Sequence, residues 1–440
     1  MRSLTLMCLL IGLLLSSGHR LAPVVPDQLV DDELPALLAL YRDLHQHPEL
    51  SLHEQNTGQK MASELRDLGF EVSTEVGGYG VVGLYRNGDG PTLMIRTDLD
   101  ALPITEKTAL PYASEQRTTT DGGVETGLMH ACGHDMHMTV WTGVARTLVQ
   151  LQDQWAGTLM MIGQPAEEIG AGAKAMLEDG LFERFATPDY ALALHCKADL
   201  EAGTIGYATG AAMASVDMIS LQVFGQGGHG AYPHTTIDPV TLASMIVMDL
   251  QTIVSRNVKP IDAAVVTVGA IHGGTVGNVI PDEVELRLTL RSYKAEVRAL
   301  MLERIQEIAN GNAAAMGLPE EMYPKLTFTH NSTPSLINDP ALAERLRPVF
   351  GEAIGVDHVL ALESVMGGED FARYGQTPEQ VPILMFWLGT IDPARKESVE
   401  GAGQRLPGLH SPFYYPDPEA TIRTGVKAMS SAALNLLSDG

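Results

Sequence analysis

Apolar positions recur at helical spacing over residues 34–44, and again towards Leu68 behind Ser51 and Glu54. That Ser-x-x-Glu pattern reads as a capping box opening a second helix. Short apolar runs bounded by polar and turn residues follow at 81–84, 93–95, 159–162, 191–194 and 383–387, with helical stretches at 138–151 and 171–177 between them. Strands alternating with helices predict an α/β layer architecture. The middle of the chain has a different order: strand at 216–224, helix at 239–254, strands at 264–271 and 284–290, helix at 296–316 and strand at 326–329. This is βαββαβ, the ferredoxin-like pattern, complete in itself. The sequence thus predicts an α/β domain formed by 27–212 and 332–440, interrupted by an inserted domain at 213–331.

Charge and cysteine usage narrow the function. The net charge is −25, from 54 acidic against 29 basic residues. Such a chain repels a phosphate backbone, so no nucleic-acid partner is expected. Arg2, an apolar run at 4–15 and the small residues Ser16-Ser17-Gly18 fit an export signal over about 1–18, predicting a periplasmic or secreted protein. The run is short for a membrane span, and an uncleaved anchor is the alternative. Beyond it only Cys132 and Cys196 remain. Cys132 lies in a dense polar cluster that suits a thiolate ligand better than a disulfide.

Polar clusters fall just after predicted strands, where open α/β sheets place their sites. They are Arg96-Thr97-Asp98-Leu99-Asp100, Gln164-Pro165-Ala166-Glu167-Glu168, His195-Cys196 and Gly367-Gly368-Glu369-Asp370. Between the first two lies His130-Ala131-Cys132-Gly133-His134-Asp135-Met136-His137. Thiolate, imidazole and carboxylate are ligands for zinc and neighbouring divalent metals. Adjacent carboxylates in one turn cannot point the same way, so of Glu167 and Glu168 one can bind metal while the other accepts a proton. His45, His47 and His53 read as structural hydrogen-bonding groups, and Cys196 as a small buried residue.

These motifs, with Leu44-His45-Gln46-His47-Pro48-Glu49-Leu50, Gly227-Gly228-His229-Gly230-Ala231, Gly277-Asn278-Val279-Ile280-Pro281 and Leu409-His410-Ser411-Pro412, resemble the dinuclear metallo-amidohydrolases. That family includes hippurate hydrolase, indole-acetyl-amino-acid hydrolase and acetyl-diaminopimelate deacetylase, and more distantly aminoacylase and glutamate carboxypeptidase. The likeness runs from about residue 34 to the end. It implies a metallo-exopeptidase-like catalytic domain, with the insert serving as lid and dimerisation domain. It also implies two divalent metal ions: zinc is favoured by the Cys and His donors, with manganese, cobalt or nickel as alternatives.

Carried onto this chain, the resemblance makes Cys132 the ligand bridging the two metals, with His134, Glu168, His195 and His410 as further ligands. Asp98 supports them from behind, and Glu167 is the general base. His229 reaches the active site of the other subunit of a homodimer and stabilises the oxyanion. Asn278 and Arg291 hold the substrate's carboxylate, and Gly367 and Gly368 form a backbone turn beside it. The implied reaction is attack of a metal-bridging hydroxide on the amide of an N-acyl amino acid. A carboxypeptidase or dipeptidase acting on small peptides is the alternative, and a non-catalytic binding homologue a third reading.

Overall fold

A computed structural model describes residues 25–120 and 122–438, so the expected export signal lies outside the described residues. At the centre, Gly157–Gln164, Thr92–Asp98, Tyr190–Glu201 and Ile383–Ile391 run parallel and side by side within an eight-stranded sheet. Every residue of Ile383–Ile391 is buried, as expected of parallel strands covered on both faces. Four long helices, Asp27–Gln46, His134–Gln150, Pro340–Ile354 and Pro418–Leu437, cover one face. The short helices Gly172–Glu178 and Asp370–Gln376 cover the other. Antiparallel strands Glu71–Val76 and Gly80–Asn87 complete one edge. No helix among the described residues is long and apolar enough to cross a membrane.

The middle segment forms its own four-stranded antiparallel sheet, in the order Ala264–His272, Glu283–Ser292, Ser215–Phe224, Lys325–Phe328. Helices Pro239–Thr252 and Ala295–Ala315 pack on it around a separate apolar core. Along Glu283–Ser292 buried residues alternate with more exposed ones, the period of a sheet with one face packed and one open. The chain enters and leaves this unit along paired segments: Leu336 pairs with Met213, and Thr333 bridges Val216. Two hydrogen bonds, Val216 N–H to Thr333 O at 2.8 Å and Thr333 N–H to Val216 O at 2.9 Å, tie the crossing together.

One local expectation changes. The helix behind Ser51 starts only at Gln55, and neither Ser51 nor Glu54 caps it. Ser51 Oγ instead donates to Asp100 at 2.6 Å, while Glu54 Oε1 accepts from Leu52 N–H at 2.9 Å and Ala166 N–H at 2.7 Å. A Ser and a Glu three residues apart serve a cap or a distant partner equally well, and here the distant partner prevails.

Candidate metal centre and active site

The site gathers at the carboxyl ends of the central parallel strands, as open α/β sheets favour. Cys132 and His134 flank Gly133, whose φ is +84° and whose place a Cβ could fill only 3.0 Å from Cys196 Sγ. Glycine therefore suits this turn on two counts: backbone conformation and room. His134 begins the helix His134–Gln150. Its Nδ1 lies 2.8 Å from the carbonyl of Asp100, and since a carbonyl can only accept, Nδ1 carries the proton and Nε2 is left to bind a cation. The same holds for His195, whose Nδ1 donates to Cys196 O at 2.8 Å.

The freed nitrogens and the acidic side chains converge on Cys132. Its Sγ lies 3.5 Å from His195 Nε2 and 3.3 Å from His410 Nε2. Glu168 approaches His410 at 3.5 Å and His134 at 3.8 Å. Donors sharing one tetrahedral ion at about 2.0–2.3 Å stand roughly 3.3–3.8 Å apart, which these spacings match. Two groups fit a metal with Cys132 in both: Cys132 with His134 and His195, and Cys132 with Glu168 and His410. His134 Nε2 and Glu168 Oε1 are buried without a hydrogen-bond partner, the condition of ligand atoms facing an ion.

Electrostatics point the same way. Burial pushes the Cys132 thiol well up, and the Glu168 carboxylate adds to it. Burial also raises Glu168 to about 7 and lifts Glu167 well above the usual carboxylate range, the latter reinforced by Glu369. The pocket thus penalises the anions it is built from unless cations enter. His195 is lowered by burial, towards the neutral form a ligand needs.

Beneath Glu167 lies an ion cluster in which Asp98, expected to support the ligands, is joined by Arg96, Glu369 and Asp370. Arg96, fully buried, reaches Asp98 at 2.9 Å, Glu369 at 2.9 Å and Asp370 at 3.2 Å. His137 donates from Nδ1 to Asp98 at 2.7 Å and accepts the Cys196 N–H at Nε2, 2.8 Å. Both its nitrogens are engaged, so it braces Asp98. Both carboxylates approach His134 Nε2, Glu167 at 3.9 Å and Glu168 at 3.8 Å, but Glu167 also groups with Glu369 and Asp370, and Glu168 with Cys132 and His410.

The sequence profile described as peptidase family M20/M25/M40 matches residues 94–435. The chain belongs to this family. Its M20 membership, with the sheet-and-insert architecture above, makes it a hydrolase acting on amide bonds. The M20 chain is 38% identical over 355 residues to N-acetyl-L-cysteine deacetylase of Bacillus subtilis (strain 168), covering 80% of each sequence. It is 34% identical to thermostable carboxypeptidase 1 of Saccharolobus solfataricus, over 80% of this chain and 86% of the relative. A Bacillus subtilis structure described as a dinuclear metal-binding peptidase of the M20 family superposes with a TM-score of 0.74 at 31% identity, over 92% of this chain and 99% of the other.

Within one M20 chain the other expected site residues separate into two groups. Arg291, Gly367 and Gly368 line the same cavity as Cys132, Glu167, Glu168, His195 and His410. His229 and Asn278 do not: they sit together on the insert, where His229 pairs with Val279 and Gly230 N–H donates to Asn278 O at 2.9 Å. The cavity wall also holds Ile169, Met213, Val216, Met218 and Leu409. Of these the sequence marks Val216 and Met218 as strand residues and Leu409 as part of a motif, and none as cavity wall, because alternation reveals a face and not what it faces.

Two tethers hold the ligand-bearing turns. Ala166 has a φ of +52°, a left-handed conformation costing an ordinary residue about 1–2 kcal/mol, and the Glu54 carboxylate fixes its N–H. Glu54→Ala should lower kcat by roughly 10² with little change in KM, the scale of a small misplacement of a catalytic group. Glu54→Gln, whose amide oxygen still accepts, should recover most of it; equal losses in the two variants would exclude a positioning role. The second tether is His45, whose ring nitrogens reach Asp135 at 2.6 Å and Glu106 at 3.1 Å. Burial opposes its charge, but these bonds outweigh it and raise its pKa to about 10. A raised histidine contributes fully below its unfolded value of about 6.5 and loses that contribution as pH rises. Denaturation measured from about pH 6 to about 10 should therefore show falling stability, with a flatter profile in His45→Gln; an undiminished slope in that variant would assign the loss elsewhere.

Proposed function

We propose that the chain hydrolyses the amide bond of N-acyl amino acids, in the manner of the hippurate-hydrolase branch. The observation that carries this reading is the composition of one cavity of about 520 Å³. Arg291 stands in its wall for a carboxylate, and an apolar stretch of Ile169, Met213, Val216, Met218 and Leu409 suits an acyl group. Among the described residues the wall offers no carboxylate beyond Glu167 and Glu168 for the ammonium of a dipeptide. The deacetylase relative supports this assignment, and the carboxypeptidase relative keeps small peptides as the alternative.

Cys132, His134, Glu168, His195 and His410 would hold two divalent cations, zinc by donor type, with manganese, cobalt or nickel as alternatives. Such cations polarise the amide carbonyl and acidify water near neutrality. Glu167, in the same cavity as the candidate ligands, takes the proton of the attacking water and later delivers it to the leaving amine. Arg291 orients the substrate through the planar fork of its guanidinium. Asp98 accepts from His137 Nδ1 at 2.7 Å and pairs with Arg96 at 2.9 Å, supporting the candidate ligands from behind.

A homodimer through the inserted domain would let His229 and Asn278 serve the partner's cavity, which accounts for their distance from their own. His229 then donates to the developing oxyanion, an interaction worth roughly 10²–10³ in rate. The sequence of the first 18 or so residues supports export.

A panel of N-acetyl, N-benzoyl and dipeptide substrates should show turnover of the acylated amino acids, abolished in Glu167→Ala with metal content nearly unchanged. Turnover confined to dipeptides would sink the N-acyl reading, and a fully active Glu167→Ala the mechanism. Mixing inactive Glu167→Ala with inactive His229→Ala should restore activity through hybrid dimers; no recovery alongside a monomeric mass in sedimentation would refute the crossed site.

A further inference from the structure

A second cavity, of about 460 Å³, opens on the other side of the paired crossing segments, and Thr333 lines both it and the substrate cavity. Its walls come from both structural units. Lys174 and Arg373 stand on the catalytic side, Lys294 (paired with Asp262 at 2.7 Å) and Arg298 on the inserted side, and Glu178 is the one carboxylate among the described lining residues. In a chain of net charge −25, such a concentration of cations is against the general trend.

The two arginines meet at Ser332, on the segment returning from the insert. Arg298 grips Asp217 with Nε and Nη2, each at 2.7 Å, and its Nη2 also reaches Ser332 Oγ at 3.3 Å. Arg373 donates from Nη2 to the backbone carbonyl of Ser332. Its Nε is buried and has no hydrogen-bond partner, an arrangement that costs free energy unless a ligand supplies the acceptor. Hydroxyls of Ser215, Ser335 and Thr377 complete the lining. Burial lowers the Arg373 pKa, with Asp370 and Glu178 opposing that shift.

The geometry points to an oxyanion site in this cavity, taking a small phosphate- or carboxylate-bearing molecule between Arg373 and the cations of the insert. A ligand held from both sides binds best at one setting of the insert over the catalytic domain, so it shifts the population towards that setting. The effect reaches substrate directly, because Lys294 follows three residues after Arg291 and Thr333 belongs to both walls. The site is therefore regulatory, and its existence does not depend on which amide is cleaved.

Full-length, metal-loaded enzyme would be titrated with inorganic phosphate and, separately, with succinate at constant ionic strength, reading Tm and steady-state kinetics. A saturable rise in Tm and a saturable change in kcat, which persists at saturating substrate, are expected with at least one of them. The responding anion identifies phosphate or carboxylate as the chemistry recognised. Arg373→Met and Lys174→Glu should each weaken that anion by about tenfold. Lys174 is partly exposed, with its ammonium 3.7 Å from Glu178, so the second variant remains informative if the first folds poorly. Purely competitive inhibition that Lys174→Glu leaves unchanged would place the anion at Arg291 and the ligand cluster and overturn the proposal. So would the absence of a saturable effect with both anions.

Discussion

Arg96 is fully buried and divides one positive charge among Asp98, Glu369 and Asp370. Above it stand Glu167, Glu168 and the Cys132 thiol, so the centre of the molecule carries more acid than its own cations can neutralise. Isolated buried carboxylates protonate sooner than remain charged, and the raised values of Asp370 and Glu168, each about 7, show that pressure. A divalent cation reverses it, turning a costly cluster into a ligand set. The arrangement of Nδ1 donors on backbone carbonyls, with Nε2 turned inward, serves the same end.

The scaffold around that charge is built to prevent rearrangement. Parallel strands deliver Asp98, Gln164 and His195 at fixed heights, and the connecting turns are held by side chains from distant parts of the chain. Glu54 fastens the turn before Glu167, Asp100 accepts both Ser51 Oγ–H and the Glu168 N–H, and His45 braces Asp135 beside His134. The tethers from His45, Ser51 and Glu54 start in the first helix and the loop after it and end at the segments around Asp135, Asp100 and Ala166. This amino-terminal segment therefore contributes to ligand geometry without touching substrate.

Sequence pattern carried the layer architecture, the inserted βαββαβ unit and the core of the site, because strand and helix periods differ and the Cys132 and Glu167 motifs are compact. What it missed depends on long-range pairing. Ser51 and Glu54 satisfy a local capping pattern perfectly well, and only the fold shows that both are drawn towards Asp100 and Ala166. Arg96 was visible as part of a cluster, but its role required knowing that Glu369 and Asp370 arrive from far downstream. The resemblance already directs His229 to the partner's site, but it groups Asn278 with Arg291, and only the fold shows Asn278 beside His229 instead.

The paired crossing at Met213–Leu336 and Val216–Thr333 has a topological consequence. The two ends of the insert lie side by side, so the catalytic chain is interrupted without being pulled apart. A short turn in place of the whole unit would leave the surrounding backbone almost undisturbed. An ancestor lacking the insert, or a descendant carrying a different one, requires no change in the sheet beneath. The crossing is thus a closed join, at which the whole insert hangs from the catalytic unit by two adjacent strands of chain.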